Sequence, residues 1–255
     1  MEAAVVSPSA VHLRLLDAGD SAVTLEFGSQ ITPALVARVA AAEQALDAAR
    51  ARGQLPGVVE TVPTFRSLTV LYDPLVTRRA VLDPQLQALL ADAGQAAPAA
   101  ARHWQLPVCY GGDCGADLDA VAAATGLSAE AVVQQHAATP FTIYMLGFMP
   151  GFPFMGQLPE ALSVPRRREP RIRVPAGSVA ITGPLSCIYP WESPGGWNLL
   201  GRCPVPLFDA EAANPVLLAP GDRIRFDPVS VDRLAVLEAD LRAGRLTPQH
   251  FLQAD

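Results

Sequence analysis

The chain opens on alternation. In VHLRLL (11–16) and SAVTLEF (21–27), apolar and polar positions trade places, and Val23, Leu25 and Phe27 share one side. That period of two predicts a pair of half-buried strands joined by a turn at Asp17–Asp20. From residue 33 the period lengthens, and Leu35, Val39, Ala42 and Leu46 recur at helical spacing. Thr32 suits the cap of this helix, Pro33 its first turn and Gly53 its end. VVETV (58–62) and SLTVLY (67–72) predict two further strands, and Asp83-Pro84 predicts the opening of a second helix carrying Leu86, Leu89 and Leu90. The order β-β-α-β-β-α predicts a small α+β domain with an antiparallel sheet. GQAAPAAA (94–101) has no apolar periodicity and reads as a linker, dividing the chain into domains at 1–98 and 99–255.

Beyond the linker the pattern changes. Residues 116–138 predict two short helices, the second capped by Ser128. FTIYMLGF (141–148), GSVAIT (177–182), WNLLG (197–201) and DRIRF (222–226) then read as short strands. The turns Ser193-Pro194-Gly195-Gly196 and Pro220-Gly221-Asp222 separate them, and the repetition predicts a closed barrel. Leu234, Leu237 and Leu241 mark a helix face between Asp232 and Leu246 that docks on it. One stretch resists this scheme: FMPGFPFMG (148–156) packs three Phe, two Met, two Pro and two Gly into nine positions. Its prolines and Gly151 predict a loop, and an apolar loop needs a cover, whether the chain itself, a small molecule or a partner.

Composition narrows the function. Half of the 255 residues are hydrophobic, enough for real cores. A net charge of -6 and a pI near 5.2 argue against nucleic-acid binding. The start MEAAVVSPSAVHLRLL lacks a basic segment before a long apolar run, which argues against an export signal or a membrane anchor and predicts a cytoplasmic protein. All 19 basic residues are Arg. Without Lys there is no Schiff base, no lysine general base and no lysine-bearing phosphate loop. Cys109, Cys114, Cys187 and Cys203 form no C-x-x-C pair and the histidines no H-E-x-x-H, so reduced, structural cysteines and no metal site are expected.

Three features carry candidate chemistry. PRRREPRIRVPAGS (165–178) sets five Arg in the eight positions 166–173. It reads either as a solvated turn or as guanidinium groups fixed by Pro165 and Pro170 beside the donors of Gly177 and Ser178, suited to a carboxylate or phosphate. IYPWESPGGWNLLG (188–201) reads either as barrel filling or as a pocket wall. In the second case Tyr189 and Trp197 supply flat surface, and Gly195 and Gly196 admit a ligand to the backbone. His136, at a helix end, is a structural residue, a C-terminal charge or a catalyst. Ser178 has no sequence neighbours that would make it a hydrolase nucleophile.

Taken together, YGGDCGADL (110–118), the His136 helix, FTIYMLGFMPGFPFMGQLPE (141–160), PRRREPRIRVPAGSVAITG (165–183) and IYPWESPGGWNLLGRCP (188–204) resemble the signature blocks of the allophanate hydrolase subunit 1 family. DAGDSAVTLEFG (17–28) and VPTFRSLTVLYDP (62–74) extend the likeness over nearly the whole chain, with Met149 and Met155 as departures. The family holds B subunits of bacterial ATP-dependent 5-oxoprolinases and the histidine-kinase inhibitor KipI, with relatives in urea carboxylase. The resemblance implies an N-terminal α+β domain followed by a cyclophilin-like barrel. It further implies opening of 5-oxoproline to glutamate, driven by ATP with Mg, in a complex with an A subunit and a tightly bound C subunit, the chain alone being inactive. A kinase inhibitor and an allophanate- or urea-processing subunit are the alternatives. For the site, it implies His136, Arg166 and Arg171 in catalytic roles. Tyr144, Phe148, Pro150, Gly151, Phe152, Ser178, Tyr189, Gly195, Gly196 and Trp197 would then line the substrate groove, and Arg167 and Arg168 would matter less.

Overall fold

A computed structural model describes residues 13–92 and 101–253, so most of the predicted linker and the first residues of VHLRLL lie outside the described residues. The chain divides into two compact units, Met1–Ala99 and Ala100–Asp255. No described helix is long and apolar enough to cross a membrane.

The first unit is a four-stranded antiparallel sheet carrying two helices. Strands β1 (Arg14–Asp17) and β2 (Ala22–Glu26) precede α1 (Pro33–Ala51), and β3 (Val58–Pro63) and β4 (Ser67–Tyr72) precede α2 (Arg79–Asp92). The sheet order is β1-β2-β4-β3. Val23, Leu25 and Phe27 are buried together with Leu68, Val70 and Tyr72 against Val39, Ala42 and Leu46 of α1, as the two periods predict. The Thr32 side chain caps α1 by accepting from the Leu35 N–H. Helix α2 departs from expectation, for it starts at Arg79 and holds Pro84 inside it. Fully buried Leu82 extends the Leu86 stripe one turn back, and Arg79 pairs with Asp83 across that turn. Pro84 is the sixth residue of the helix and has no N–H for the Ala80 carbonyl, so the helix forms there at the loss of one bond.

The second unit is a closed seven-stranded barrel, ordered β10-β7-β6-β13-β5-β12-β9. In chain order its elements are β5 (His103–Tyr110), α3 (Leu118–Thr125), α4 (Ala129–Ala138), β6 (Phe141–Leu146), β7 (Pro153–Gly156), β8 (Arg171–Val174), β9 (Ser178–Thr182), β10 (Leu185–Ile188), β11 (Ser193–Gly195), β12 (Asn198–Arg202), β13 (Arg223–Pro228) and α5 (Val231–Arg242). Ser128 caps α4 by accepting from the Ala131 N–H. Inward residues of the barrel, among them Trp104, Leu106, Ile143, Ile181 and Ile224, share one core with Val121 and Val132 of the helices. Leu234 and Leu237 of α5 are buried as predicted. Strands β5 and β13 run parallel, Arg223 opposite His103 through Pro228 opposite Val108. Asp222 anchors this seam, taking hydrogen bonds from Arg102 Nε (3.0 Å), Trp104 Nε1 (3.1 Å) and the Ala219 N–H (2.9 Å).

Two expected loops contain strands. The end of FMPGFPFMG is β7, entered by Pro153 at its first position, where a missing N–H is tolerated. Ser193–Gly195, read as a turn, is β11, and it pairs with β8 outside the barrel. The apolar loop is therefore covered in part by the barrel itself: Gly151 and Phe152 are buried, whereas Phe148 is 67% exposed.

Candidate functional site

The ribbon of β8 and β11 joins two motifs that are distant in sequence. Arg171 lies opposite Gly195, Val174 opposite Ser193, and the Arg167 N–H donates to the Gly196 carbonyl at 2.8 Å. The arginine run and the Pro-Gly-Gly stretch thus form one surface beside the barrel.

Beneath it is a residue that sequence reading passed over. Asp117, at the start of α3, is 3% exposed and accepts from Arg171 through both carboxylate oxygens (2.8 and 2.8 Å), from Arg167 Nη1 (2.7 Å) and from the Leu199 N–H (2.8 Å). Burial alone would raise its carboxyl. Hydrogen bonds from Arg171 and Leu199 and the charges of Arg171 and Arg167 outweigh that and hold it below the usual range. Arg171, expected to meet a substrate anion, has both terminal nitrogens committed to Asp117, and Arg167 is its partner in the same clamp rather than a bystander. The clue in sequence was the second acid of YGGDCGADL, a candidate counter-charge for the run of arginines. Only the fold sets it opposite them, 50 and 54 positions away.

Arg166 is different. It is exposed, it has no carboxylate partner among the described residues, and its guanidinium lies over Gly196, where a Cβ would stand 3.6 Å from Nε and Nη2. Next to it is an aromatic cluster. Phe152 meets Tyr189 edge-on at 5.1 Å, Trp197 at 6.3 Å and Phe148 at 5.4 Å between centroids. Tyr189 is buried, and desolvation raises its hydroxyl against the opposing charge of Arg166. Gly195 makes this packing feasible, because a Cβ there would lie 2.5 Å from the Tyr189 hydroxyl. Phe148, in the left-handed region at φ 68°, carries its ring to the rim. Pro150 accepts a hydrogen bond from exposed Trp191 at 3.2 Å, and Trp191 stacks obliquely on Phe208, two aromatic residues that the sequence reading did not single out.

The remaining expected site residues are interior. Tyr144 is buried so closely against Gly156 that a Cβ there would lie 1.9 Å from its ring. Ser178 is 3% exposed, and its carbonyl accepts from the Tyr189 N–H at 2.9 Å. His136 is fully buried, hydrogen-bonded through Nδ1 to the Tyr110 hydroxyl (2.8 Å) and through Nε2 to the Ser186 hydroxyl (3.0 Å), and stacked on Phe226. Burial pushes its pKa down to about 3. With both nitrogens used and no solvent-facing edge, His136 packs here as a core residue, and its geometry lends no support to the catalytic role expected of it.

What the surface offers chemically is one uncommitted guanidinium over a glycine backbone, a clamped arginine pair behind it and an aromatic wall, an arrangement that suits an anionic group on a small, partly flat molecule. The chain as a whole is similar to known proteins. Residues 13–218 match the model of the carboxyltransferase domain, subdomain C and D. The B subunit of 5-oxoprolinase from Escherichia coli O157:H7 is 40% identical over 218 residues, 82% of this chain and 93% of that protein. The crystal structure of TTHA0988 superposes with a TM-score of 0.71 at 40% identity over 82% of this chain, which spans only 40% of that longer one. At 20% identity the Kluyveromyces lactis urea amidolyase still shares the fold, with a TM-score of 0.78 over 97% of this chain and 16% of its own. With residues 13–218 matched to the domain model and 40% identity over most of its length, the chain belongs to the carboxyltransferase subdomain C and D family, the family of the 5-oxoprolinase B subunits.

Proposed function

We propose that this chain is the B subunit of a cytoplasmic, ATP-dependent 5-oxoprolinase, which opens 5-oxo-L-proline to L-glutamate with A and C subunits and has little activity alone. The observation that carries the reading is 40% identity to a 5-oxoprolinase B subunit over 93% of that protein's length. The site supports it: 5-oxoproline is a small flat ring with a carboxylate, and Arg166 beside Trp197 and Phe152 presents the complementary surface. On this reading Arg166 binds the anionic group, Asp117 orients the two arginines behind it, and the exposed Phe148 rim meets a companion subunit.

A five-membered lactam is a poor electrophile, and ATP supplies the phosphoryl group that makes its oxygen a leaving group. The residues of this chain fit an anion better than a complete nucleotide site. There is no lysine for a phosphate loop, and no group of three His, Cys, Asp or Glu stands together among the described residues to hold Mg. ATP with Mg is therefore assigned to the assembled complex. The test is ADP formation by purified A, B and C subunits. We expect turnover with 5-oxoproline only when this chain is present, and little with allophanate. Turnover with allophanate alone, or inhibition of a sensor histidine kinase without any turnover, would replace the reading.

A further inference from the structure

Arg166 stands in a stretch, 163–167, that belongs to no helix or strand, so no ladder fixes the point from which its side chain starts. Three hydrogen bonds pin the stretch instead. The Gly183 N–H donates to the Val164 carbonyl at 2.7 Å, and the Arg167 N–H donates to the Gly196 carbonyl at 2.8 Å. Between them the Asn198 side chain donates through Nδ2 to the Pro165 carbonyl at 2.9 Å. The first two bonds join main chain to main chain, and any residue but proline could make them. Only the third depends on a side chain. The carbonyl it holds lies in the peptide plane that Pro165 shares with Arg166. Asn198 is half-buried at the start of β12, opposite Ile181 of β9, and the next N–H along, that of Leu199, donates to Asp117. One strand end therefore registers Arg166 and also the carboxylate that gathers Arg167 and Arg171. The Ile181 carbonyl lies 3.4 Å from the same Nδ2. With a carbonyl oxygen at each contact, only the NH2 end of the amide can face them, so this position calls for a donor.

We propose that Asn198 is a positioning residue for Arg166, holding the Pro165–Arg166 peptide so that the guanidinium stays over Gly196 and meets the anionic group of the substrate there. The proposal rests on the reading of Arg166 as the anion-binding residue, and Asn198 itself touches no substrate. Two consequences separate positioning from a merely structural role. A residue that acts through Arg166 has nothing left to act on once Arg166 is removed, so the two substitutions must be non-additive. The anionic group is already present in the ground state, so a displaced guanidinium weakens substrate binding and raises KM while kcat is kept. A residue that merely stabilised the barrel would instead lower the amount of folded protein and leave KM alone. Aspartate is the sharpest substitution, because it keeps the shape of asparagine and turns an acceptor oxygen toward two carbonyls.

The experiment has one arm on the full chain alone and one on the assembled complex. In the first, brief trypsin digestion reads how often the stretch opens, since Arg166, Arg167 and Arg168 are cut only when it leaves its place. We expect Asn198→Ala and Asn198→Asp to speed cleavage after these three residues about fivefold, the scale of one lost hydrogen bond, with other arginines cut at the wild-type rate. In the second, with A and C subunits and 5-oxoproline, Asn198→Ala should raise KM roughly three- to tenfold and leave kcat within about twofold. Asn198→Gln, which keeps the donor, should recover part of the loss. In a chain already carrying Arg166→Ala, adding Asn198→Ala should change KM by less than about twofold. Equal losses with and without Arg166 would overturn the proposal, as would wild-type cleavage of the arginine run in both variants. A wild-type complex that leaves 5-oxoproline intact would refute the proposed function instead, and the digestion would still decide whether Asn198 holds Arg166 in place.

Discussion

Asp117 and Arg166 divide the arginine surface into a structural part and an available part, and the two should respond oppositely to substitution. Asp117→Asn leaves Arg167 and Arg171 facing each other without their shared counter-charge. Removing one partner from a buried ion pair costs about 3 to 5 kcal/mol, which denaturant unfolding would register. Arg166→Ala removes no ion pair among the described residues, so stability should change by no more than about 0.5 kcal/mol. The assembled complex should nonetheless lose roughly tenfold in activity, the equivalent of one charge-assisted contact. Substantial destabilisation by Arg166→Ala, or none by Asp117→Asn, would reverse this assignment. The depressed carboxyl of Asp117 also has a sign: its contribution is present at neutral pH and is lost as pH falls through the folded pKa. At this scale the sequence disclosed the residue types but not their commitments. Arg166 and Arg171 look alike in PRRREPRIRV, and only the location of Asp117 separates them.

Among elements, the paired β8 and β11 are the least expected and the most consequential. Gly195 sits in β11 against the Tyr189 hydroxyl, so Gly195→Ala must displace either the ribbon or the ring. Overpacking of this kind costs about 1 to 3 kcal/mol. The melting temperature should fall and near-ultraviolet dichroism of the aromatic cluster should weaken, whereas an unchanged spectrum would show that Tyr189 yields freely. Most other elements were legible in the sequence because their information is local. The alternation in β2 and β4, the stripe of α1 and the caps Thr32 and Ser128 all act within a few residues. What escaped was tertiary: Ser193–Gly195 has the composition of a turn and is extended only because β8 lies beside it. The start of α2 moved from Asp83 to Arg79 because Leu82 finds a core to enter. His136 was legible as a helix-end residue, but the Tyr110 and Ser186 hydroxyls that use up its nitrogens belong to strands far away in sequence.

For the whole molecule, the two units should answer pH in opposite directions. In the first, burial and then the charge of Asp47 raise Glu43 from 4.5 to about 7. Between those values the folded unit holds a proton that the unfolded chain has released, so its stability declines as pH rises. In the second, His136 stays neutral down to about 3, whereas the unfolded imidazole takes a proton near 6.5. There the unfolded chain binds more protons, so stability grows as pH rises through that window. Between about pH 4.5 and 6.5, hydrogen exchange corrected for its intrinsic rate should show protection falling in residues 13–92 and increasing in residues 101–253. Parallel changes in both would refute these two groups as the controlling ones.

The seam between β5 and β13 bears on time rather than on stability. The ion pair that fastens it, Arg102 to Asp222, spans 120 positions, and the barrel's first strand lies beside its last. Ring closure of so long a segment loses much chain entropy before any ladder bond forms in return. The α+β unit draws its strand pairs from short separations and should reach its native state while the barrel is still open. In that interval β5 presents an unpaired apolar edge, so the slow step of refolding is also when the chain is most vulnerable to self-association.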